Sequence, residues 1–237
     1  LTLFFNAPGE YYTMGEVQKH GKVWEKHILC GAYGCTEDEL KSIGYTAAKD
    51  LPAQLNRLNG VTISMKCRKE GGEVCMGDAL RVYDAAKSGE TVHMTLCTWT
   101  QVDPTTKKMV TLLEVDLTGI FDSLFGSLTR EQVAQLDALV KKVPQKRRPT
   151  EEEHAAMYAL KEALEAQTGA IKLRIKCDSK QSRLQCAFSA ASFQAFLDAN
   201  PGRQVATMAD GQFHGKPVVM EVTSSPRVFK KKVLVAA

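Results

Sequence analysis

Interleaved helical and strand periodicities predict a mixed α/β (α+β) chain built on a central mixed sheet flanked by helices. Three observations carry that expectation. VTISMKC at 61–67 and TVHMTLCTWTQ at 91–101 alternate with period two, T-x-x-E capping boxes stand at Thr36/Glu39 and Thr150/Glu153, and strand patterning returns at 171–177 after two helices.

Taken in order, 13–30 reads as a helix because Met14, Val17, Trp24 and Ile28 recur near helical spacing while Glu16, Lys22, Glu25 and Lys26 fill polar positions. Thr36 opens a second helix that stops at Gly44. Pro52 and Gly60 punctuate 47–60 before the strand at 61–67, where Val61, Ile63, Met65 and Cys67 face one way and Thr62, Ser64 and Lys66 the other. After the turn KEGGE, 76–86 reads as a short helix with Asp78 as a candidate cap. The strands at 91–101 and 108–118 form a hairpin around Asp103-Pro104. Thr129 caps a helix whose inner face is Val133, Leu136, Leu139 and Val140, and Thr150 caps another carrying Met157, Leu160 and Leu164. The segment 141–149, bracketed by Pro144 and Pro149, marks a boundary between a core at 1–143 and a C-terminal α+β part at 144–237 packed on it. Strands at 171–177 and 183–188, a helix at 190–198 and a strand at 217–223 complete the expected elements.

The 237 residues are 44% hydrophobic and 24% charged, which excludes disordered, collagen-like and disulfide-miniprotein classes. No apolar run reaches the roughly 18 residues of a membrane span, and no signal-peptide pattern is present. Seven cysteines, an odd set without a C-x-x-C pair, point to a reducing compartment, so an intracellular place, cytoplasmic or nucleoid-associated, is expected. The net charge of +4 is local. Residues 141–149 carry five basic side chains and 226–237 carry four, with no acid in either, and the rest of the chain stands at −5. Local positive charge favours an anionic partner; the plainer reading is solvated loop and tail lysines.

No Walker, G-x-G-x-x-G, H-E-x-x-H or G-x-S-x-G motif is present. What stands out is a helix bearing Glu25, then Asp50 just before Pro52, then a strand whose polar face ends in Lys66. Such a set suits phosphodiester hydrolysis. Carboxylates are hard oxygen ligands for Mg²⁺, the metal polarises a phosphoryl group, and a lysine orients water and offsets developing charge. Ser64 and Lys66, two residues apart on a strand, share a face.

Through GKVWEKHIL at 21–29, DLP at 50–52 and ISMK at 63–66, the first third of the chain resembles the PD-(D/E)xK superfamily of restriction-endonuclease-like nucleases. The resemblance implies a restriction-endonuclease-like fold, with Asp50 as the first metal-binding acid, Lys66 as the lysine and Glu25 as the acid on the first helix. It departs from the pattern twice. Ser64 stands where an acid is usual, and Asp50 precedes Pro52 rather than following it. Either Asp50, a second acid such as Asp78 and waters hold the metal, or the fold binds without cutting.

Each of these residues has a plainer role open to it. Lys66 is read alternatively as an exposed strand lysine, Glu25 as a surface partner of Lys22 or Lys26, and Asp50 and Asp78 as turn or helix caps. In the C-terminal part, the row Lys172, Arg174 and Lys176, the polar set Lys180, Gln181 and Arg183, and Arg227, Lys230 and Lys231 of the tail form expected nucleic-acid contacts. Few aromatics interleave them, which favours double-stranded DNA over a single-strand stacking platform. The expectation is therefore a Mg²⁺-dependent endonuclease on double-stranded DNA, sequence-specific and homodimeric. The alternative is a non-catalytic nucleic-acid-binding protein or ribonucleoprotein subunit on a nuclease-like scaffold. The five histidines receive no chemistry.

Overall fold

The computed structural model describes residues 16–43, 49–178 and 180–223, with side chains from residue 21 onward. Its helices are α1 (Glu16–Gly31), α2 (Glu37–Ser42), α3 (Ala79–Lys87), α4 (Phe121–Phe125), α5 (Arg130–Lys141), α6 (Glu151–Glu165) and α7 (Ala190–Ala199). Its strands are β1 (Thr62–Lys69), β2 (Val74–Asp78), β3 (Val92–Gln101), β4 (Thr106–Asp116), β5 (Ile171–Asp178), β6 (Gln181–Phe188), β7 (Gln204–Thr207), β8 (Gln212–Phe213), β9 (Lys216–Pro217) and β10 (Glu221–Thr223).

Mixed α/β architecture is present, with a curled mixed sheet flanked by helices. β1 runs parallel to β3, β3 antiparallel to β4, and both β10 and β7 add to β4. β2, β6 and β5 form a separate antiparallel sheet, so among the described residues the expected single sheet is two larger ones, apart from the two-stranded β8–β9 ribbon. Residues 144–237 contribute strands to both.

Alternation along β3 explains the two cores. Met94 and Leu96 face a cluster that includes Val74, Phe125, Leu136, Leu173 and Phe188, whereas Cys97 faces one that includes Trp24, Ile28, Leu51, Ile63 and Met65. The second cluster fixes α1 over β1, and Trp24 Nε1 donates to the Val219 carbonyl at 2.9 Å, tying the segment just before β10 to the same helix.

The capping boxes at Thr36 and Thr150 form, and Thr129 forms one with Gln132. Two expected elements need correction. The helix placed at 76–86 begins only at Ala79, because Cys75 and Gly77 pair with β6 across a bulge, Gly77 takes a φ of 121°, and Asp78 accepts the Arg81 N–H as cap. The strand placed at 217–223 is divided between β9 and β10. Pro217 has no N–H to extend a ladder, so the chain leaves β8 there and rejoins at the edge of β4. α4, β7 and β8 are too short to leave a periodic signal. Met14 and the tail residues Arg227, Lys230 and Lys231 lie outside the described residues, as does the side chain of Val17.

Candidate active site

A two-residue main-chain bridge builds the site. Leu51 N–H donates to the Ile63 carbonyl at 3.0 Å and Ile63 N–H returns to Leu51 at 2.8 Å, so the 50–52 segment lies antiparallel against the start of β1. Buried Leu51 and Ile63 anchor that bridge in the core around Trp24. Asp50 is thereby set beside the next three residues of β1. Its Oδ2 accepts from Met65 N–H at 2.7 Å, from Ser64 Oγ at 3.3 Å and from Lys66 Nζ at 3.3 Å. Lys66 Nζ also donates to the Met65 carbonyl at 3.1 Å, which folds the lysine back along the strand edge. The side chains of Lys66 and Asp50 are 20% and 29% exposed, open enough to meet a ligand yet shielded enough for their charges to matter.

Glu25 approaches from α1. Burial and then the Asp50 charge push its carboxyl up to about 6, with Lys66 and Lys22 pulling the other way. All four residues expected at the catalytic centre therefore belong to one neighbourhood. Lys66 is partly buried and ion-paired, which sets aside its plainer role as an exposed strand lysine.

Two clefts flank this centre. One, of about 200 Å³, has an apolar floor that includes Val82, Leu117 and Leu124, and its rim carries Asp50, Ser64, Lys66 and Asp78. Lys49, Arg81 and Glu90 complete that rim and had no signal in the sequence; Lys49 pairs with Glu90, which also accepts from Thr62 Oγ1 at 2.9 Å. The second cleft, of about 680 Å³, brings Lys22 and Glu25 of α1 against Arg174 and Lys176 of β5 and Gln181 and Arg183 of β6. Across that hairpin Lys176 stands directly opposite Arg183, a like-charge pairing that disfavours the free fold and that an anion relieves. Arg174 pairs with Glu73 and Arg183 Nε donates to Gln181 at 2.9 Å. Lys172 is exposed outside this cleft, and Lys180 lines a neighbouring depression with Gln145 and Arg183. In the basic segment 141–149, Lys141 bonds Asp137 at 2.6 Å and Arg147 bonds Glu153 at 2.7 Å, so two of its five cations are partnered within the protein.

Among the described residues, no three His, Cys, Asp or Glu side chains converge as a metal cage. A cage is not what Mg²⁺ requires; it is held by one or two carboxylates together with waters and substrate phosphates. Asp50 and Glu25 are hard oxygen donors of the type that demand calls for, and Glu25 is raised first by burial and then by the Asp50 charge. Asp78 lines the same cleft as Asp50 while its Oδ1 caps α3.

A buried polar group on the other side of β1 escaped sequence reasoning. Glu114 is fully buried; it accepts from Tyr33 Oη at 2.8 Å and bonds ring nitrogens of His93 and His214 at 2.5 Å each. Tyr33 Oη also contacts Thr95 Oγ1 at 2.5 Å. Burial opposes ionisation of Glu114, but its histidine and tyrosine partners outweigh it and hold the carboxyl below the usual range. Each histidine bonds a different oxygen of the same carboxylate, a hydrogen-bonded arrangement that joins the α1–α2 corner at Tyr33, β3, β4 and the β8–β9 turn.

Among the described residues no helix is long and apolar enough to cross a membrane. Compared with known proteins, the chain matches no family model, no curated protein and no solved structure.

Proposed function

We propose that the protein is a Mg²⁺-dependent endonuclease of the restriction-endonuclease-like type, acting on double-stranded DNA inside the cell. The observation that carries this reading is the meeting of Asp50, Lys66 and Ser64 at one strand edge, with Glu25 of α1 responding to the first two. Asp50 and Glu25 would hold the metal, with Asp78 as a further carboxylate in the same cleft. When bound, Mg²⁺ would polarise the scissile phosphoryl group and lower the pKa of the attacking water. Lys66 orients that water and offsets charge developing on the phosphate. Ser64 donates to Asp50 and keeps its Oδ2 aimed along the strand. The basic cleft of Lys176 and Arg183, which Glu25 also lines, supports a path for the DNA backbone. Cutting both strands of a two-fold symmetric site calls for a homodimer.

The test is plasmid incubated with purified protein in Mg²⁺ and in EDTA. Defined fragments only with the metal are expected, and Lys66→Ala should abolish them while leaving a mobility shift in place. Unchanged cutting by that variant would overturn the assignment. A second reading, a non-catalytic nucleic-acid binder, is favoured by one observation: Asp50 Oδ2 already accepts three hydrogen bonds and the neighbouring strand position is a serine. It expects a salt-sensitive mobility shift with no cutting under either condition.

A further inference from the structure

We infer that Cys30 and Cys35 form a reversible modification site, at which a peroxide-class oxidant closes an intrachain disulfide across the corner between α1 and α2. Their sulfurs lie 3.8 Å apart in a thiol–thiol contact. A disulfide bond is about 2.05 Å long, so closing it draws the two sulfurs together from a contact already made. The corner itself is pinned. Ala32 N–H and Tyr33 N–H both donate to the Ile28 carbonyl, Cys35 N–H donates to Leu29, and Arg57 N–H donates to the Tyr33 carbonyl at 2.9 Å. The thiols are therefore held as neighbours by the main chain.

Access separates their roles. Cys30 is half-buried and Cys35 is 3% exposed, so an oxidant arriving from solvent meets Cys30. Burial and the adjacent Cys30 push the Cys35 thiol up to about 12, so Cys35 does not compete for the oxidant, and its contact with Cys30 makes it the resolving partner. The Cys30 sulfur attacks one peroxide oxygen and the O–O bond breaks, giving the sulfenic acid and, with the thiol proton, one water. The Cys35 sulfur then attacks the Cys30 sulfur; the S–O bond breaks, and hydroxide leaves with the Cys35 proton as a second water. Two thiols lose two electrons and the peroxide gains them. A thiol reductant reverses the bond. The inference is independent of the nuclease reading.

The experiment exposes the full chain to hydrogen peroxide, alkylates without reduction and digests with trypsin. Cleavage after Lys26 and Lys41 releases residues 27–41, in which Cys30 and Cys35 are the only cysteines. That peptide should appear unalkylated and lighter by two hydrogen atoms, and should take up two alkyl groups after reduction. Cys35→Ser should instead leave Cys30 as a sulfenic acid trapped by dimedone. Two overturning results are a crosslink from either residue to another cysteine, and a peptide with both thiols still alkylated while exposed Cys75 is oxidised. The wild-type peptide map decides the matter even where the variant fails to fold.

Discussion

Lys66 Nζ and Asp50 Oδ2 meet at 3.3 Å although 16 positions separate them in the chain, and the contact rests on backbone rather than on the side chains themselves. The Leu51–Ile63 bridge sets the level of Asp50 against β1, and the Met65 N–H at 2.7 Å fixes its carboxylate. Both charges act on Glu25. Asp50→Asn should therefore bring the Glu25 carboxyl down toward the ordinary range, and Lys66→Ala should move it further up. Carbon-detected NMR titration of the Glu25 carboxyl reads both shifts; movement of both variants in one direction would contradict the charge assignment.

Glu25 also links this site to stability. Its carboxyl stands near 6 in the folded protein against an ordinary 4.5, so the folded state holds the proton more tightly than the unfolded state does. Ionised Glu25 is a cost at pH 7, the cost fades as pH falls from 6 to 4.5, and it is gone below that window. Glu25→Gln is expected to stabilise the fold by about 1 kcal/mol at pH 7, discounted for its partial solvent access, and by almost nothing at pH 4. Urea melts at the two pH values measure the difference. On the nuclease reading the same variant loses cutting, so stability and activity should part company.

In the opposite sense, Glu114 stabilises as an anion. Its carboxyl is held below 4.5, so its contribution is present above that pH and is lost as pH falls through its folded value. Glu114→Gln leaves one amide facing His93, His214 and Tyr33 with a donor where an acceptor is required. A loss of about 3 kcal/mol at pH 7 is expected from denaturant unfolding, and about 1 kcal/mol for Tyr33→Phe.

Lys176 and Arg183 oppose each other across the β5–β6 hairpin. Arg183→Gln relieves that repulsion and should raise stability by a few tenths of a kcal/mol while weakening DNA binding several-fold. Mobility shifts at several salt concentrations should show a slope shallower by about one for this variant. A slope equal to that of the wild type would remove Arg183 from the backbone contacts.

Gly126 closes α4 with a φ of 59°, and a Cβ there would overlap the Gln167 carbonyl. Gly126→Ala is expected to cost about 2 kcal/mol, because the conflict is with main chain of the α6–β5 connection rather than with a side chain that can turn aside. Thermal unfolding checks it.

How far the sequence speaks depends on the range of the interaction. The capping boxes at Thr36 and Thr150 close within four residues, and the alternation of Ile63, Met65 and Cys67 against Ser64 and Lys66 needs only the pleat, so both were legible. The candidate site was legible as residue types: Glu25, Asp50, Ser64 and Lys66 could be named, and the β5 row could be seen as basic. Short elements such as β7, of four residues, and β8, of two, were not, since their pairing is decided by what lies across from them.

Sequence alone determined the mixed class, the long helices and strands, and the candidate residues, because propensity, capping and pleating act between neighbours. Only the tertiary structure decided that Asp50 lies against Lys66, that Glu25 is desolvated beside them, and that Lys176 faces Arg183 in a cleft shared with α1. It alone placed His214 on Glu114 across 100 residues of chain. These are relations of register and burial, which depend on how sheets and helices stack, and no local pattern encodes a distance between residues so far apart.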